Sequence, residues 1–177
     1  MDVKTDVTGH SVTREVTACP GCGLVLPEAD APTHAYIGSS AACWALFGRL
    51  LEREFGDATL FRAHHLTVDA YAAQHPGVVE RRAIQSVAVH LMALCLHVEE
   101  GVDPSKSPGL RKRMADGHEF RWLDPPRLDG VMTVADVLRA RAGVEHCEYA
   151  EAWARSVWQA WSCYHHVVRE WVARALG

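Results

Sequence analysis

No apolar run in this chain is long enough to span a bilayer. The longest, AIQSVAVHLMALCLHV, is broken by Gln and His and falls short of the roughly 20 residues a membrane helix needs. No block of Lys and Arg stands out either. Lys and Arg number 18 against 22 Asp and Glu, a formal net charge of -4, so the basic footprint of a nucleic-acid binder is missing. The N-terminal stretch MDVKTDVTGHSVTREV has no apolar h-region, and no signal peptide is expected. No internal repeat, heptad array or convincing strand alternation is found. These absences point to a cytoplasmic protein with no nucleic-acid or membrane partner, and they leave its oligomeric state open.

At 177 residues and 49% hydrophobic content, the chain suits one compact domain. A chain of about 150 residues buries roughly 68–70% of its unfolded surface, enough for a core without disulfide staples. Residues 1–17 read as a flexible arm and 18–177 as a single helical domain. Within that domain, 18–43 is a metal-binding loop with a helix start, and 101–131 is a covering loop. The expected fold class is all-α, a bundle of about four main helices with an N-terminal zinc-knuckle loop.

Ser39 or Ser40 can cap a first helix that stops at Gly56, with Cys43, Phe47, Leu50, Leu51 and Phe55 on one stripe. Asp57 can cap a second, ending before Pro76-Gly77. A third, from about 79 to 100, is apolar nearly all round and belongs inside the bundle. In the covering loop, Phe120, Trp122 and Leu123 should pack down on the bundle. Thr133 and Asp136 resemble a capping box for a short helix. A final helix from about 144 to 176 would bury Tyr149, Trp153, Val157, Trp161, Tyr164, Val168, Trp171 and Val172, with Trp158 off that stripe and free to line a pocket.

Six cysteines in a reducing compartment argue for thiols or metal ligands rather than disulfides. CPGCG is a knuckle: Pro20 and Gly21 shape a tight turn that lets two sulfurs face one ion. One CxxC is half a tetrahedral site. His34 and Cys43 follow, so Cys19, Cys22, His34 and Cys43 form a zinc-like set lying before the second helix. Four protein ligands would make the site structural. The loop from 18 to 38 has little apolar content of its own, so a metal clip would fix it. Two other readings compete: a redox CxxC, and Cys43 as a small buried hydrophobe. Cys95 reads as core filler.

Histidines form a second pattern. At about 100° per residue, His64 and His75 share a face with Leu60 and Tyr71, while His65 and Asp69 are i, i+4 neighbours able to pair. His90 lies on a seam of the third helix and His165 on the flank of the last. Buried imidazoles need partners, because an unpaired buried polar group costs roughly 1–3 kcal/mol. A pocket lined by His64, Asp69, Tyr71, His75, His90 and His165 is therefore expected, with a second divalent metal as one way to satisfy it. A purely structural hydrogen-bond network is the competing account.

Taken together, CPGCG, PTHAYIGSSAACW, HHLTVDAYAAQHPG, IQSVAVHLM and WARSVWQAWSCYHHVVREW resemble a family of small bacterial proteins known only as a domain of unknown function. The resemblance spans about 18 to 172. It implies that Cys19, Cys22, His34, Cys43, His64, Asp69, Tyr71, Gln74, His75, His90 and His165 sit in the family's motif segments, and it carries no activity. A looser likeness is to the DinB-like metal-binding four-helix bundles, some of which transfer thiols or act as hydrolases. Their histidine spacing differs and they lack the knuckle.

The expected function is a small metal-dependent enzyme, a hydrolase or group transferase acting on a small molecule in the His-lined pocket, with a structural zinc at the knuckle. The alternatives are a non-catalytic zinc-stapled binding or sensor module, and a thiol–disulfide protein using Cys19 and Cys22.

Overall fold

A computed structural model describes residues 15–116, 118–128 and 130–177. A short antiparallel hairpin comes first, β1 (Val16–Ala18) paired with β2 (Val25–Pro27), Thr17 facing Leu26. Helices follow: α1 (Ala41–Gly56), α2 (Phe61–Gln74), α3 (Arg81–Val98), α4 (Ser107–Ala115), α5 (Val134–Arg139), α6 (Val144–Ala160) and α7 (His165–Leu176). The chain is thus mostly helical, and no described helix is long and apolar enough to cross a membrane.

The helix ends obey local chemistry. Ser40 begins α1, its hydroxyl accepting from the Cys43 amide at 3.2 Å. Asp57 accepts from the Thr59 amide and opens a single 3-10 turn that leads into α2. Thr133 and Asp136 form a reciprocal capping box at the start of α5. The α2 helix packs against α1, α3 and α6 and is the middle of the bundle. Its second half is buried on every side although it carries Thr67, Asp69 and Gln74, so each of these needs a partner. Gln74 finds two: its amide donates to the Met132 carbonyl at 2.8 Å, and the Trp153 indole donates to its oxygen at 3.1 Å.

Four expectations are corrected. First, the N-terminal arm falls largely outside the described residues, but Val16 and Thr17, expected within it, pair in the hairpin. Second, the last helix is two. The chain turns at Trp161, whose indole donates to the Ala73 carbonyl at 3.2 Å in the core, and a 3-10 turn over Ser162–Tyr164 redirects it. The carbonyl of Trp158 accepts twice there, from the Trp161 amide at 3.0 Å and from His165 Nε2 at 2.9 Å. Third, Phe55 and Tyr149 are exposed. The buried stripe of α1 is Cys43, Phe47, Leu50 and Glu54, so a glutamate takes the place given to an aromatic ring. Fourth, Trp158 is buried: its ring stacks on His165 at 3.8 Å and its indole donates to Glu99 at 3.1 Å. Of the three residues expected to pack down from the covering loop, Phe120 lies edge-on to Trp171 and Leu123 is buried, while Trp122 is half-buried and its indole donates to Asp124 at 3.1 Å.

Candidate metal centre and the polar cleft

The knuckle is built by its own backbone. The Cys19 amide donates to the Leu24 carbonyl and the Gly23 amide to the Cys19 carbonyl, both at 2.9 Å, and Gly23 takes a left-handed φ of 73° to close the turn. That turn rests on the end of α2. A Cβ on Gly21 would come within 2.5 Å of His75 Cδ2 and 2.9 Å of the Gln74 and Gly38 carbonyl oxygens, so only glycine fits. From the other side the Gly38 amide donates to the His75 carbonyl at 2.9 Å.

Cys43 comes from the first turn of α1 and His75 from the residue after α2. The two helices are of similar length and joined by one short turn, which returns the chain to where it began. Cys19, Cys22, Cys43 and His75 thereby place their ligand atoms within 4.8 Å of one another, all four buried: a Cys3His group able to hold a metal ion. Cys43 Sγ lies 3.4 Å from His75 Nε2 and 3.8 Å from Cys22 Sγ. The Ser40 amide donates to Cys19 Sγ at 3.4 Å and the Tyr71 hydroxyl to Cys43 Sγ at 3.6 Å. His75 Nδ1 donates to the Tyr71 carbonyl at 2.7 Å, which leaves the Nε2 lone pair facing the sulfurs. That orienting bond is the usual companion of a metal-bound imidazole. Tyr71 also stacks on His75 at 4.0 Å, and Phe47 on Tyr71 at 3.9 Å, closing the cluster from the core side.

Crowding three thiols in so small a space forces their ionisation apart. Hydrogen bonds from Cys22, then Cys43, hold Cys19 well below an ordinary thiol, while the same contact with Cys19 pushes Cys22 up to about 11 and Cys43 higher still. Burial raises the Tyr71 phenol, with the neighbouring Cys43 adding to it.

His34 is not one of the four grouped residues. Its ring packs edge-on against Tyr36 at 4.4 Å and against Trp44 at 5.1 Å, over the outside of the first turn of α1. The histidine in the group is His75, expected instead in the pocket. Sequence proximity favoured His34, whereas the antiparallel return of α2 brings His75.

The six expected pocket residues separate into four places. Tyr71 and His75 belong to the thiol cluster. His64 pairs with Glu54, its Nδ1 3.1 Å from Oε2. His165 sits on Trp158, 3.7 Å from Glu99. Asp69 and His90 meet each other: His90 Nδ1 donates to Asp69 Oδ1 at 2.7 Å. Arg111 from α4 donates to that same oxygen at 2.6 Å, and His97 Nε2 lies 3.6 Å from Oδ2. Asp69 is wholly buried. Burial raises its carboxyl, but the hydrogen bond from His90, the nearby His97 ring and the Arg111 charge prevail and hold it below the ordinary range. His65, expected to pair with Asp69, is buried beside it with no hydrogen bond to Nδ1 among the described residues.

His90 and Arg111 then line a surface cleft of about 450 Å³ together with Tyr36, Arg82, Gln85 and Ser86. His90 Nε2 makes no hydrogen bond among the described residues and is not a buried orphan, so it is open to the cleft. Arg111 was missing from the expected set because it lies in a stretch read mostly as loop.

A second buried carboxylate was missed altogether. Glu54 accepts from Thr67 at 2.9 Å and faces His64 and, at 3.0 Å, His146 Nε2. Burial alone would raise its carboxyl, but bonds from His146, His64 and Thr67 bring it below the ordinary value. Its place at i+11 on the Cys43, Phe47, Leu50 stripe was the sequence signal for burial.

A family model described as "Family of unknown function" (DUF5946) matches residues 17–162. No curated protein and no solved structure matches the chain, and the likeness to DinB-like bundles is not shown by these comparisons.

Proposed function

The chain belongs to the DUF5946 family of unknown function, and from that premise we propose a zinc-stapled helical bundle whose ion is structural and whose chemistry is carried out elsewhere on the molecule. The observation that carries the first half is the buried Cys3His group. Thiolates with one imidazole suit zinc, and four protein ligands leave no coordination position for substrate. The orienting bond from His75 to the Tyr71 carbonyl supports the same assignment. Purified protein should carry about one zinc per chain. Cys43→Ala and His75→Ala should lose it and His34→Ala should keep it. Zinc retained in His75→Ala but lost in His34→Ala would reverse the assignment.

A working site separate from the ion is favoured by the Asp69–His90 pair. A buried carboxylate fixes His90 Nδ1 as donor and leaves Nε2 toward the cleft as a base. On this reading the protein is a small enzyme for hydrolysis or group transfer on a small molecule. His90 would take a proton from a water or hydroxyl nucleophile, Asp69 would position His90, and no second metal would be needed. This departs from a six-residue pocket containing His64, Tyr71, His75 and His165. A non-catalytic module built on the same staple is the alternative, and a substrate screen comparing wild type with His90→Gln separates the two: turnover lost in the variant supports the enzyme, and no turnover by wild type supports the module.

A further inference from the structure

We propose that the His90 cleft binds the phosphate group of a small molecule, a ligand class that rests on reading this cleft as the working site. Its lining is rich in donors and has no carboxylate of its own. Arg82, Arg111, His90, Tyr36, Ser86 and Gln85 all border it. Asp69 lies behind this wall with no exposed surface, and one of its oxygens already takes both His90 and Arg111.

The charges do not cancel. Arg111 spends a single N–H on Asp69, and a guanidinium has five. Arg82, on the exposed face of the first turn of α3, makes no ion pair among the described residues. Two guanidinium groups therefore border a cleft with one buried carboxylate near it, on a protein whose net charge is -4. An acidic protein that keeps one recess electropositive draws anions to that recess.

Phosphate suits it better than carboxylate. Arginine forks match phosphate oxygens with paired N–H bonds, and phosphate has more acceptor oxygens to take the hydroxyl and amide donors around it. The cleft, at about 450 Å³, is far larger than the ion alone and lies within the roughly 300–1,000 Å³ typical of small-molecule sites. The ligand is thus an organic molecule with a phosphate at the arginine side. His90 borders the same cleft, so its ring reports on a ligand held there.

The test uses the full, zinc-loaded chain. Inorganic phosphate and, separately, uncharged glycerol are titrated while the His90 ring is followed by NMR. Phosphate should shift the His90 signals saturably and glycerol should not. Arg82→Gln should weaken phosphate binding about tenfold, the loss of one charge-assisted contact, and Arg82→Lys should weaken it less. A response to glycerol without one to phosphate overturns the phosphate assignment but keeps the cleft as a working site. No response to either overturns both. Saturable phosphate binding that Arg82→Gln leaves unchanged places the anion elsewhere and overturns the proposal.

Discussion

Asp69 shows how one buried side chain can tie three elements together. It sits on α2, and its partners come from α3 and α4. Replacing it by Asn leaves Arg111 and His90 sharing one neutral amide oxygen in place of a carboxylate. Breaking a buried pair in this way costs about 3–5 kcal/mol, and urea unfolding of Asp69→Asn should show it. The sign with pH follows from the depressed carboxyl. Its contribution is complete above the ordinary value of 3.8 and is lost as pH falls below that. The acid limb of the stability curve should therefore be shallower in Asp69→Asn than in wild type. Sequence periodicity placed Asp69 on a helix but paired it with His65, its neighbour one turn away. The partner it has, His90, lies 21 residues on, and only the packing of α2 on α3 makes them adjacent.

Among elements, the knuckle and α1 use glycine in opposite ways. Gly21 is pressed against His75 and two carbonyl oxygens, so a methyl there must push the turn off α2. Gly21→Ala should lower stability by about 1–3 kcal/mol and weaken the hold on zinc. Gly48 lies within α1 with nothing near its missing Cβ, and Gly48→Ala should raise stability by about 0.5–1 kcal/mol. Thermal melts of the two variants should move in opposite directions. Elements were the most legible scale in the sequence. The caps at Ser40 and Thr133 and the stop before Pro76 were read from residue chemistry alone. The break at Trp161 was not, because no Gly or Pro marks it. It is set by a buried indole and by His165 donating to the Trp158 carbonyl across the turn. Three of the four clustered ligand groups were also legible, since CxxC and Cys43 are local. His75 was not, because spacing along the chain does not reveal which helix ends meet.

For the whole molecule, the proposed ion and the helical core would divide the task of holding the chain. The core of α2, α3 and α6 contains fully buried Trp153, Leu91 and Leu94, contributed by the helices alone. The hairpin β1–β2 is mostly exposed and buries little of its own. Excess chelator should accordingly leave far-UV helicity nearly intact while amide protection at Cys19 and Gly23 disappears. The melting temperature should fall by roughly 2–4 °C for each kcal/mol of stability removed with the ion. Unchanged protection in the knuckle would show that the turn needs no metal.

All four side chains of the candidate Cys3His group occur by residue 75. On the zinc proposal, a growing polypeptide therefore has its complete donor set once α1, α2 and His75 have been made, and metal capture would not depend on α3 or anything after it.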